Sequence, residues 1–222
     1  MRRIALDIET TGLDPRQGHK IVEIGCVELE NNYPTGKYWQ QYIKPNRNMP
    51  EEAFRVHGLT NEFLNEKPLF SKVVDGLNSF LKNSELVIHN AKFDLSFLNY
   101  ELEQIGKDNL ERFKVIDTLS LARKRFPGAS NSLDALCRRF NIDINKRKKH
   151  GALLDAELLA DVFLEMNGGR QQGINLNYKN KINKEERIML ENLDYSRKVI
   201  FPSEEEKIQH TKILKLLKNN YW

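Results

Sequence analysis

Two acids stand close together in an otherwise apolar opening segment, "RRIALDIETTGLDP" at residues 2–15: Asp7 and Glu9. Along a β-strand side chains alternate faces, so Ile4, Leu6 and Ile8 point one way while Ala5, Asp7 and Glu9 point the other. The two carboxylates are then neighbours. Like charges held together in a partly dry place repel one another unless a cation lies between them. A divalent ion is one reading of the pair, and an edge strand with a solvated polar face is an equal one. Other residues must decide.

Further along, two more acids fall on apolar helix faces. In "ALLDAELLADVFLEM", residues 152–166, Asp155 shares a face with Leu158, Leu159 and Val162, whereas Glu157 and Asp161 fall on the far side. A carboxylate among leucines costs several kcal/mol if it stays charged without a partner, so Asp155 needs a cation or a strong donor. Asp94 lies in the first turn of a helix after "VIHN", in line with Phe97 and Leu98; stabilisation by the helix N-terminus is an alternative role for it. His150 stands five residues before Asp155, on a short loop. A lone loop histidine is usually a surface residue. If Asp155 and the strand acids share a metal, however, an imidazole at their rim could take a proton from an attacking water.

The elements that must position these residues can be read from periodicity and punctuation. Residues 2–9, 21–30 and 38–43 read as strands in an antiparallel meander, with Gly12, Asp14, Pro15, Asn31, Asn32, Pro34 and Gly36 as turn signals. A Pro-bounded polar stretch follows, then a helix near 70–82, a short buried strand "ELVIHN", a helix over 92–106 and a strand "FKVID". Asp117 can cap "TLSLARKRF", Asn131 or Ser132 can cap "LDALCRRF", and the helix of Asp155 runs to Gly168 and Gly169. A meander followed by alternating strands and helices makes an α/β domain with a mixed sheet.

Size and composition bound the function. At 222 residues, 40% hydrophobic and 30% charged, the chain suits one filled core plus an appendage. It has neither an apolar stretch of about 18 residues nor the apolar core of a signal peptide, so a cytoplasmic location is expected. Cys26 and Cys137 sit in separate apolar segments and are assigned to the core. The net charge of +4 suits a polyanionic partner without requiring one. Basic clusters occur at 122–128 ("ARKRFPG") and 145–151 ("NKRKKHG"), and only the second adjoins a candidate site residue; each also reads as a solvated loop. After Gly169, "RQQGINLNYKN" lacks helical periodicity and reads as a linker. The tail beyond it has too few apolar residues for a core of its own. Its last helix starts at a capping box, Ser203 with Glu206.

Taken in order and spacing, "DIET", "HNAKFD" and "HGALLD" resemble the three motifs of the DEDDh 3′ to 5′ exonucleases. More narrowly, "DIETTGLDP", "GHKIVEIG", "PEEAFRVHGLTNEFL", "NSLDALC" and "HGALLDAELLADVFLEM" resemble the proofreading branch that serves bacterial DNA polymerase III. The likeness is close over residues 1–169 and looser in the tail. It implies a ribonuclease H-like mixed sheet flanked by helices, with Asp7, Glu9, Asp94 and Asp155 holding two Mg²⁺ or Mn²⁺ ions around the scissile phosphate. Within that picture Asp7 bridges both ions, Asp94 supports the second largely through water, and His150 is the general base. Asp7, Glu9 and Asp155 also meet the substrate there, Thr10, Thr11 and Gly12 offer it backbone amides, and Glu52 and His57 hold the terminal nucleotide. Asp117 remains a helix cap that could also support the acids.

The implied organisation is an exonuclease domain at 1–169, a linker at 170–180 and a helical polymerase-binding tail at 181–222. The implied partners are a DNA 3′ end, single-stranded or frayed, and the polymerase alpha subunit. A small accessory subunit is a further implied partner, and "QGINLNY", residues 172–178, reads equally as plain linker or as a sliding-clamp peptide. No membrane partner is expected. Two rivals stand beside proofreading: a DEDDh exoribonuclease trimming RNA 3′ ends, and a polymerase-stabilising subunit with an idle nuclease site.

Overall fold

The computed structural model describes residues 1–144, 149–169 and 201–216. The chain divides into two compact units, 1–173 and 174–222. The first contains a five-stranded sheet: β1 (Arg2–Thr10), β2 (Ile21–Glu30), β3 (Tyr33–Tyr42), β4 (Glu85–Ile88) and β5 (Val115–Asp117), in the order β3-β2-β1-β4-β5. The meander β1-β2-β3 is antiparallel, and β4 and β5 add in parallel beside β1. This is the expected mixed sheet.

β3 starts earlier than the sequence reading places it. Asn31 and Asn32 both adopt positive φ, 52° and 74°, and so close a two-residue hairpin by themselves. Pro34 and Gly36 therefore belong to the strand rather than to the turn. Pro34 is tolerated because β3 is the sheet edge, where no partner needs its missing N–H.

Among the described residues of this unit seven α-helices flank the sheet: α1 (Glu51–His57), α2 (Asn61–Asn65), α3 (Phe70–Leu81), α4 (Ala91–Gln104), α5 (Thr118–Arg125), α6 (Leu133–Arg139) and α7 (Ala152–Met166). α1 and α2 occupy the stretch that sequence leaves as irregular; each is too short to show a period. α3 buries Phe70, Val73, Val74, Leu77 and Leu81, one stripe at helical spacing. The alternation of β1 divides the core. Ile4, Leu6 and Ile8 pack with α3 and α4, while Ala5 packs with α6 and α7. Cys26 and Cys137 are both buried, as assigned. Among the described residues no helix is long and apolar enough to cross a membrane.

Three caps resolve as expected. Asp117 Oδ1 accepts from Leu119 N at 2.9 Å. Ser132, rather than Asn131, caps α6 by accepting from Ala135 N, and Asn131 instead donates to the carbonyls of Phe126 and Ala129. In the second unit, α8 (Glu204–Leu216) opens on the reciprocal box, with Ser203 N to Glu206 Oε2 at 2.8 Å and Glu206 N to Ser203 Oγ at 3.2 Å. The linker, the clamp-like peptide, basic residues 145–148 and the last residues of the tail, 217–222, lie outside the described residues.

Candidate active site

Asp7 and Glu9 leave β1 on the side that α7 covers. The register sets Asp7 opposite Gly25 and Glu9 opposite Glu23, and the pairing slips between Glu9 and Thr10. Such an irregularity bends a strand out of its ladder, here where the chain leaves the sheet. Gly25 is the reason that α7 can come so close. A Cβ there would lie 2.3 Å from the backbone carbon of Ala152 and from the nitrogen of Leu153. With that space open, the first turn of α7 rests on the strands and Asp155, one turn in, is 3% exposed.

The consequence is a convergence of donors. Glu9, His150 and Asp155 each offer a ligand atom within 4.8 Å of the others. His150 Nδ1 lies 3.1 Å from Asp155 Oδ2, and the backbone N of His150 donates to Val56 O at 3.2 Å. Lys149, beside it, lies 4.8 Å over the Phe54 ring, so the histidine loop is seated on α1.

Asp94 arrives from the opposite face of the sheet. Phe97 and Leu98, on the same stripe of α4, are fully buried beneath Ile4, Leu6 and Ile8. Leu6 with Ile88 is the last β1–β4 pair, and the backbone of Ile8, just beyond it, turns to the Asp94 carboxyl. Burial pushes that carboxyl well above the ordinary carboxylate range; the charges of Glu9 and Asp117 add to the shift, against backbone N–H groups of Asp94 and Ile8. Asp117 Oδ1 also accepts from Asn90 N at 3.2 Å, which ties β5 to the start of α4.

Beside the acids is a cavity of about 500 Å³ lined by Glu9, Thr10, Thr11, Gly12, Glu52 and His57, among others. His57 Nδ1 accepts from Leu59 N at 3.1 Å, which puts the ring proton on Nε2. That Nε2 is buried and has no hydrogen-bond partner among the described residues. Burial pulls the His57 pKa down, with the charges of Lys149 and His150 acting the same way; the Thr10 backbone opposes without reaching hydrogen-bond geometry.

Three positions in or near the site escape sequence reasoning. His19 also lines the cavity, with Nδ1 3.3 Å from Thr11 Oγ1 and its ring packed on Gly12, where a Cβ would lie 2.2 Å away. Glu23 is a 2% exposed acid across from Glu9, held by the Gln40 amide at 2.7 Å. An acid inside "IVEIG" is the signal that could have found it. The first basic cluster is also nearer than sequence spacing suggests: Arg123 lines a cavity with His89 and Asn90, the residues that lead into α4. The β5–α5 connection carries it there.

The donors suit a hard divalent cation, since carboxylate oxygens predominate, and burial, with the charges of Glu9 and Asp117 added, drives the neighbouring Asp94 carboxyl towards protonation. A mixed sheet that carries acids on its central strand and on two flanking helices defines the exonuclease class. The chain belongs to the Exonuclease (RNase_T) family, whose model matches residues 4–163. The DNA polymerase III subunit epsilon of Rickettsia conorii is 46% identical over 100% of this chain and 99% of the relative. That of Escherichia coli K12 is 50% identical over 76% of this chain and 72% of the relative. Among solved structures, exonuclease X with 5′ overhanging duplex DNA has a TM-score of 0.58 at 24% identity, over 75% of this chain and 90% of that one. The DEDDh nuclease domain of 3′hExo bound to rAMP has a TM-score of 0.66 at 18% identity, over 75% and 92%. Both show the fold. Use of divalent metal is general to this family, and the residues here fit it.

Proposed function

We propose the following division of labour for a 3′ to 5′ proofreading exonuclease acting on mispaired primer ends. Asp7, Glu9, Asp94 and Asp155 hold two divalent ions, Mg²⁺ or Mn²⁺. When bound, the ions supply charge for the attacking and leaving oxygens of an in-line displacement. His150 takes the proton from the attacking water, with Asp155 orienting its imidazole. A P–O bond forms to that water and the bond to the 3′ oxygen breaks, so the product is a nucleoside 5′-monophosphate. Glu52 and His57 hold the terminal nucleotide in the adjoining cavity; the buried Nε2–H of His57 gains there the acceptor that the fold does not give it. Thr10, Thr11 and Gly12 line the same cavity.

The observation that carries this reading is the convergence of ligand atoms of Glu9, His150 and Asp155 within 4.8 Å of one another, with Glu9 also lining that cavity. Nothing in the site reads base sequence, so selectivity comes from access. Opening a stacked pair costs about 1–2 kcal/mol, part of which a mismatch has already lost. The deciding experiment is digestion of matched and mispaired primers in Mg²⁺ by the chain and by Asp7→Ala. Faster loss of the mispaired end, abolished by the substitution, is expected; an unaffected Asp7→Ala rate would remove the metal assignment.

We assign residues 181–222 to docking on the polymerase alpha subunit, in keeping with the names of the relatives and with the exposure of Ile208 and Ile213 on α8. The work is placed in the cytoplasm, with a small accessory subunit and the sliding clamp as further partners. Truncation after Gly169 should leave an active nuclease that no longer co-purifies with polymerase. Full retention of polymerase binding would move the docking surface to residues 1–169.

A further inference from the structure

Where β4 leads into the helix of Asp94 lies a cavity of about 680 Å³ that the assignments above leave unused, within the usual size of a ligand site. Its floor and walls include His89, Asn90, Leu119, Asn131 and Leu133, and Arg123 stands at its edge. No acid lines it. The neighbouring cavity across Asn90, by contrast, carries Asp14 and Glu103 with Arg16 and Lys92.

The other arginines near this basin are committed to the fold. Arg125 donates to the Met166 carbonyl, and Arg139 donates to Ser130 O at 3.3 Å and covers the Phe126 ring at 4.3 Å. Arg123 has no such tie among the described residues. Its charge is felt at His89, whose pKa is lowered chiefly by burial, with Arg123 acting the same way and the larger effect of Asp117 opposing.

We propose that this basin is a second nucleic-acid subsite: it holds the single-stranded DNA 5′ of the cleaved bond, with Arg123 on a backbone phosphate and bases against Leu119, Leu133 and the His89 ring. The inference rests on the exonuclease reading for the direction of the strand. A strand whose last phosphodiester meets the acids must leave the site along one edge of it. His89 and Asn90 close β4 and lead into the helix of Asp94, so the basin begins where the acids end. Charge favours this exit over its neighbour, because Asp14 and Glu103 would repel phosphates while Arg123 meets no competing carboxylate in the cavity wall. Apolar and ring surface beside one cation is the usual make-up of a sequence-tolerant single-strand track.

The test is equilibrium binding by the full-length chain without divalent metal, with fluorescent octathymidylate as probe and unlabelled dithymidylate and octathymidylate as competitors. Arg123→Gln should weaken the octamer about tenfold, the scale of one charged hydrogen bond, and leave the dimer's competition where the unsubstituted chain has it. The slope of log K against log salt should shrink by about 0.7, the share of one phosphate on a single strand. Arg123→Lys should restore most of the slope, and Lys124→Gln should change neither length. Octamer affinity and slope unchanged in Arg123→Gln, or equal weakening of dimer and octamer, would overturn the subsite. Cleavage plays no part in this measurement, so a chain that binds in this way yet leaves primers undigested would fail the exonuclease reading and keep the basin.

Discussion

Nδ1 of His150 lies 3.1 Å from Oδ2 of Asp155, an exposed imidazole against a carboxylate that is almost wholly buried. Five residues separate them, and the loop before α7 folds the first over the second. With Nδ1–H directed at the carboxylate, Nε2 is left as the base. His150→Ala should therefore retain metal binding and lose about 100-fold or more in turnover. Activity of the unsubstituted chain should also fall in acid, because a protonated imidazole cannot take the proton from water. Single-turnover digestion of single-stranded DNA across pH checks both; a substituted chain as fast as the original at neutral pH would pass the role to another group.

Asp94 gives a prediction about metal removal. Its folded pKa is raised, so as pH climbs past the ordinary carboxyl range the unfolded chain loses the proton first, and the metal-free fold loses stability up to the folded pKa. Asp94→Asn removes that penalty. In EDTA at neutral pH the variant should melt above the unsubstituted chain, and the gain in melting temperature on adding Mg²⁺ should shrink. A lower melting point in EDTA would show that the carboxyl is held by something other than burial against like charge.

Gly25 should be intolerant of any side chain. The Cβ of Gly25→Ala would have to displace the backbone of Ala152 and Leu153, so α7 must shift with Asp155 and the His150 loop. A cost of about 1–3 kcal/mol is expected from the overpacking, seen as a drop in thermal midpoint, together with a fall in kcat larger than the change in KM. Undiminished kcat would mean that α7 tolerates displacement.

Glu85 ties β4 to β1 at the end of the sheet remote from the acids, with Oε1 2.5 Å from Lys114 Nζ and Oε2 2.9 Å from Arg3 Nε. The Lys114 bond, then that of Arg3, holds its carboxyl below the usual range against the opposing effect of burial. A lowered acid pKa contributes stability above the unfolded value, and that stability is lost as pH falls through the folded one. Because Lys114 is 70% exposed, Glu85→Gln should cost only about 1 kcal/mol at neutral pH, and the difference should vanish at an acid pH below the lowered folded pKa. Denaturant unfolding at the two pH values checks it, and a difference that persists in acid would rule out the ionic origin.

Much of the site was legible because its chemistry contradicts its surroundings. Acids in an apolar strand and on apolar helix faces stand out wherever the period is known, so alternation and 3.6-residue spacing single out Asp7, Glu9, Asp94 and Asp155 as candidates, and the family resemblance joins them into one proposed metal site. The caps at Asp117, Ser132 and Ser203 were equally local. What the sequence could not carry was anything set by register or by contact between distant segments. The pairing of Asp7 with Gly25, the seating of α7 on that glycine, the placing of Glu23 across from Glu9 and the approach of Arg123 to Asn90 follow from which strand lies beside which. A one-residue slip would send Glu9 to the opposite face, and only the packing of both sides of β1 at once excludes it. Residue types and spacing thus determined which groups could do the chemistry. Tertiary packing decided which of them meet, because close approach depends on the volume left open by residues, such as Gly25, that contribute no chemistry of their own.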